Sequence, residues 1–92
     1  MSKTIRETIG QAFEDVCAEQ DIVIKHKVDN ELVLLNSGLD SLGFAILVAE
    51  LENRLGYDPF VLMDTPVYPR TMGEFVAMYE RFADHAKPNM GS

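Results

Sequence analysis

Cysteine is nearly absent from this chain. Cys17 stands alone, which excludes an intramolecular disulfide and a cysteine zinc cluster and fits a reducing cytoplasm. Long apolar runs are missing as well. The longest, residues 44–49, stops at Glu50, far short of the roughly 18 residues of a membrane-spanning helix. Residues 1–4 carry no apolar signal core, so no export is expected. Basic side chains are scarce: 8 Lys and Arg against 15 Asp and Glu, for a formal net charge of −7. Such a surface repels nucleic-acid phosphates and favours partners with basic patches. Internal repeats and low-complexity tracts are lacking too.

What is there has ordinary globular composition, with 47% hydrophobic and 25% charged residues in 92. This length suits one domain, residues 1–92, with a folded core over about 3–84 and a flexible tail over 85–92. A core of that size holds a small bundle more easily than a deep catalytic cleft. The acidic excess is uneven. Residues 40–64 carry −4 of the −7, with Arg54 alone against Asp40, Glu50, Glu52, Asp58 and Asp64. Two readings stand: a solvated helix face, or a docking surface for basic partners.

Periodicity predicts helices. Ile5, Ile9, Ala12, Phe13 and Val16 share one face of a segment over 3–19, and Thr4 with Glu7 has the pattern of a capping box. Cys17 borders that stripe and reads as a small packed side chain rather than a reactive thiol. Residues 20–40 form a long connection rich in apolar residues, expected to pack on the core or serve a function. Within it, residues 22–24 lack a partner strand and are not read as one, and Asn36-Ser37-Gly38 reads as a turn. A second helix is expected over 41–55, with Asp40 as N-cap and Gly56 as its stop. Asp58-Pro59 then opens a short helix over 59–63. Pro66 and Pro69 keep the next connection extended. Thr71 and Glu74 form another capping-box pattern, opening a last helix to about residue 83 with Met72, Phe75, Val76, Tyr79, Phe82 and Ala83 as its stripe. The fold class expected is all-α: a small four-helix bundle of three main helices and one short one, with a long first loop.

The second helix has two apolar faces. Phe44, Leu47, Val48, Leu51 and Leu55 fall within an arc of about 100° and form the expected core stripe. Leu42, Ile46 and Ala49 cluster on the other side, flanked by Glu50 and Glu52. A small bundle cannot bury both faces. Either the second strip is an exposed binding site rimmed by charge, or the long first connection folds over it. Ser41 sits where the strip begins, near unpaired backbone N–H groups and the positive end of the helix dipole. A phosphate ester there would be stabilised. A serine at a helix start is also a common cap, and Asp40 opposes a phosphate by like charge unless it holds a divalent cation during phosphoryl transfer.

Residues Asn36-Ser37-Gly38-Leu39-Asp40-Ser41-Leu42 resemble the attachment signature of acyl carrier proteins and the related peptidyl carrier domains, in the Gly-hydrophobic-Asp-Ser-Leu pattern of 38–42. The likeness continues through Leu47, Val48, Leu51, Glu52 and Leu55, and takes in the chain length, acidity, long first connection and helix order, over about residues 5–82. This resemblance implies a four-helix bundle whose Ser41 carries 4′-phosphopantetheine, delivered from coenzyme A by a phosphopantetheinyl transferase with magnesium and the help of Asp40. The thiol of that arm would hold an acyl or aminoacyl group as a thioester, placed there by a loading ligase and passed to acyl-transfer enzymes of a fatty-acid, polyketide, nonribosomal-peptide or related pathway. Leu42, Ile46 and Ala49, with Glu50 and Glu52, would meet those partners. A stand-alone, monomeric, cytoplasmic carrier without catalytic residues or a permanent metal is the expected protein. Departures exist: Ile46 and Ala49 stand where the family often has glutamates, Asn36-Ser37 is an unusual approach to the motif, and residues 64–69 are richer in proline than in the fatty-acid type. They point to a specialised pathway and to docking that leans on apolar contact.

An enzyme reading has little to stand on. Ser41 lacks the Gly-x-Ser-x-Gly setting of a hydrolase nucleophile. His26 and His85, the only imidazoles, fall in the first connection and the tail. No HExxH, P-loop or calcium-loop pattern occurs. The remaining alternative is a helical interaction module of the same fold with Ser41 unmodified.

Overall fold

The computed structural model describes residues 4–24, 27–36, 38–64 and 68–85. Among these residues there are four α-helices and no strand: α1 (Ile5–Glu19), α2 (Ser41–Leu55), α3 (Pro59–Leu62) and α4 (Met72–Arg81). The fold is small and all-helical, as the periodicity predicts. None of these helices is long and apolar enough to cross a membrane.

Local chemistry sets the helix starts. At α1 the Glu7 N–H donates to Thr4 Oγ1 at 3.1 Å, and the Thr4 N–H donates to Glu7 Oε1 at 2.9 Å. That reciprocal pair is the expected capping box. At α4 only half of the pattern forms. The Glu74 N–H donates to Thr71 Oγ1 at 3.2 Å, but Glu74 Oε1 accepts from the Arg70 N–H at 2.7 Å instead of from Thr71. Asp58 Oδ1 accepts from the Phe60 N–H to open α3 at Pro59.

The ends are equally local. α2 stops at Gly56, which is left-handed at φ 88°. α1 ends in a paired reversal. The Asp21 N–H donates to the Ala18 carbonyl at 3.2 Å and the Ile22 N–H to the Cys17 carbonyl at 2.8 Å. Asp21 holds the left-handed position at φ 58°, where glycine is the usual occupant. α3 stops at Leu62, one residue short of the expected bound. The α-helical bonding of α4 ends at Arg81 and tightens into a 3-10 turn, Ala83–His85. The expected tail beyond residue 85 lies outside the described residues.

Burial gathers in one cluster. From α1 come Ile9, Ala12, Phe13, Val16 and Cys17; from α4 come Met72, Phe75, Val76 and Tyr79. Cys17 is packed, as expected, and burial, then Glu14, pushes its thiol pKa up. That keeps it protonated and unreactive. Tyr57 joins the core through its hydroxyl, which donates to the Tyr79 carbonyl at 2.5 Å.

The long first connection packs on this core. Leu32, Leu34 and Leu39 are buried and Ile22, Ile24 and Val28 half-buried. It also pairs with the start of α4, which periodicity does not announce. Gly73 N–H donates to the Asn30 carbonyl, Met72 N–H to Leu32 and Leu34 N–H to Arg70, at 3.0, 2.8 and 3.1 Å. Val33 and Thr71 form an isolated antiparallel bridge. The Arg6 side chain donates to Asn30 Oδ1, tying the same connection to α1. Leu34–Asn36 make a 3-10 turn, which meets the expected Asn36-Ser37-Gly38 turn only at Asn36. His26, Ser37 and Pro66 lie outside the described residues.

Candidate functional site

Each residue from Gly38 to Gly43 has a separate physical task. Gly38 takes φ 102°, and a Cβ there would lie 2.9 Å from Ile22 Cγ2. A side chain is therefore opposed twice, by backbone conformation and by space. Leu39 is 1% exposed and plugs into the core. Asp40 caps α2: its Oδ1 accepts from the Gly43 N–H at 2.8 Å and its carbonyl from the Phe44 N–H at 2.9 Å. Ser41 is the first helical residue and is exposed. Leu42 follows, 66% exposed. A Cβ on Gly43 would lie 2.7 Å from Leu39 Cδ1, so the helix start and its approach press together there. The result is a serine hydroxyl presented to solvent on a rigidly seated helix start.

The burial of α2 is rotated from the expected stripe. Gly43, Leu47 and Leu51 are its fully buried residues. Phe44, Val48 and Leu55, expected in the core stripe, are half-buried and pack against the core from one flank, and Ile46 does so from the other. Of the second apolar strip, Leu42 and Ala49 face solvent, while Ile46 packs against the core cluster. The close approach at Gly43 draws that side of the helix inward.

The acidic flank is divided too. Glu50 Oε2 accepts from Arg54 Nε at 2.8 Å, and Arg54 Nη2 reaches Asp15 Oδ2 at 2.9 Å. Arg54 therefore bridges α1 and α2 and offsets the charge of Glu50. Glu52 is exposed. Such exposed pairs stabilise weakly, by about 0.2–1 kcal/mol.

Rotation leaves an apolar groove on the flank bordered by Ser41. Phe44, Ala45 and Val48 of α2 form its floor, and Leu34 and Leu35 of the first connection one wall. Phe60 of α3, Tyr68 and Pro69 form the other wall. The groove encloses about 560 Å³. Its aromatics are in series: Phe44 meets Phe60 edge-on with centroids 5.9 Å apart, and Phe60 stacks on Tyr68 at 5.7 Å and 28°. Sequence reasoning assigns Phe44 and Val48 to the core and so misses this groove. The signal open to it was the aromatic series at 44, 60 and 68.

In comparisons with known proteins, no family model, no curated protein and no solved structure matches this chain.

Proposed function

We propose that the chain is a carrier protein of the acyl and peptidyl carrier type, with Ser41 as the attachment residue for 4′-phosphopantetheine. The observation that carries this reading is the exposed Ser41 hydroxyl, one residue past the Asp40 cap and on the border of an apolar groove. Its helices, in the order long, long, short and medium with a long first connection, support reading the fold as the carrier-type four-helix bundle.

The residues fit the group. In attachment, Ser41 Oγ bonds to the phosphorus that bears the pantetheine arm of coenzyme A. The pyrophosphate bond breaks, adenosine 3′,5′-bisphosphate leaves, and the hydroxyl proton passes to a base of the transferase. Asp40 faces solvent beside the reacting oxygen, where a carboxylate can help hold the transferase's magnesium. Once attached, the arm supplies a thiol that carries cargo as a thioester. The chain's own task is to present the arm, and tethering gives each partner enzyme a high effective concentration of cargo.

Leu42, Ala49 and Glu52 form the exposed docking strip in this reading, with Ile46 and Glu50 at its edges. Partners would be the transferase, a loading ligase and downstream acyl-transfer enzymes, in the cytoplasm. The chain itself catalyses nothing.

Incubation with a broad-specificity phosphopantetheinyl transferase, coenzyme A and magnesium tests the proposal. Intact mass should rise by one phosphopantetheine, and Ser41→Ala should abolish the rise with an unchanged melting curve. No rise in the wild-type chain would leave a plain helical interaction module.

A further inference from the structure

Resting on the carrier reading above, we infer that the groove beside Ser41 selects an uncharged acyl group with an apolar, preferably aromatic, end and rejects an aminoacyl group, with Tyr68 as the residue that sets its outer wall. The first argument is charge. Among the described residues no lining side chain is an acid or a base that carries charge, and the only polar ones are the hydroxyls of Ser41 and Tyr68. An α-ammonium drawn in would shed water and gain no carboxylate. Asp40, the acidic residue nearest in sequence, is not part of the lining, and its Oδ1 is engaged by the Gly43 N–H. The positive end of the α2 dipole at Ser41 opposes a cation further.

Shape is the second argument. A volume of about 560 Å³ lies in the range of small-ligand pockets. The Phe44–Phe60–Tyr68 series alternates edge-on and stacked geometry. An entering ring can extend that series, because offset and edge-to-face pairs are the favoured aromatic arrangements. Tyr68 is 74% exposed and held by its stack on Phe60, so it is a wall whose removal does not open the core. A flexible arm anchored at Ser41 needs only to double back to deliver its end there.

The test uses the unmodified, isotope-labelled chain and two probes that differ by one α-ammonium: 3-phenylpropanamide and phenylalanine amide, at about pH 6 to keep the second cationic. Tethering corresponds to roughly millimolar effective concentration, so millimolar free probe is the matched condition. The neutral probe should shift the amides of Leu35, Ala45, Val48 and Tyr68, and the cationic probe should bind about tenfold more weakly. Ala45→Trp, which fills the groove from an exposed position, and Tyr68→Ala should each weaken the neutral probe about fivefold without moving the melting midpoint. Equal binding of both probes, shifts confined elsewhere, or no shift would overturn the inference. Intact mass after transferase treatment of the same sample reads the carrier proposal separately. A mass gain with an unselective groove sinks the cargo assignment alone, and a selective groove without a gain sinks the carrier reading.

Discussion

Two tyrosines in van der Waals range of one another have opposite hydrogen-bond fates. Tyr57 donates to the Tyr79 carbonyl, whereas the buried Tyr79 hydroxyl has no partner among the described residues. Their rings lie 5.7 Å apart. Removing a made bond costs about 0.5–1.5 kcal/mol, while removing an unmade one relieves a desolvated group. Tyr57→Phe should therefore lower the urea midpoint, and Tyr79→Phe should leave it unchanged or raise it. Asp21 is a second residue-scale test. Its left-handed backbone costs most side chains with a Cβ roughly 1–2 kcal/mol, and an Asp only part of that. Asp21→Gly should raise the thermal midpoint, in spite of the greater freedom that glycine has when unfolded.

At the scale of the element, α2 decides what the site can do. Its residues 42, 46 and 49 share a helical face, yet only Leu42 and Ala49 are exposed. Ile46 packs against the core. Ile46→Glu should then cost stability, about 1–2 kcal/mol by urea denaturation, and is a poor probe of docking. Ala49→Glu should leave stability within about 0.5 kcal/mol. If the exposed strip meets the transferase by apolar contact, the same change should slow loading, read as the rate of mass gain. Loading at the wild-type rate would remove Ala49 from the docking surface.

Across the whole molecule, the titration of buried groups gives stability a direction with pH. Burial, followed by the Asp58, Tyr57 and Glu52 charges, raises the Tyr79 pKa far above its usual value of 10.0. Burial, then Glu80, raises Tyr57. In both cases the folded chain holds its proton more tightly than the unfolded one. Their contribution is thus fully present below about pH 10 and is lost as pH climbs from there towards the folded values. The urea midpoint should fall as pH rises above about 10, and Tyr79→Phe should flatten that fall. A midpoint independent of pH across this range would contradict the burial of both phenols.

Helix starts and stops were readable from sequence because their hydrogen bonds close within about four residues. Thr4 with Glu7, Asp40 with Gly43 and Asp58 with Phe60 are such pairs, and their donors and acceptors are written next to one another in the chain. The exposed serine of α2 was readable for the same reason. Glu74 marks where this logic fails: its carboxylate accepts from the Arg70 N–H, one residue before the cap, in place of the Thr71 N–H. The rotation of α2, the half-burial of Phe44 and Val48, and the pairing of residues 30–34 with 70–73 belong to the tertiary structure alone. They depend on groups far apart in sequence, and on steric limits at Gly43 that Leu39 in its packed position and the Asp40 carboxylate impose. A helical period says which side chains share a face; the neighbours that approach that face decide how far it turns inward, and so whether an aromatic flank becomes core or the wall of a groove.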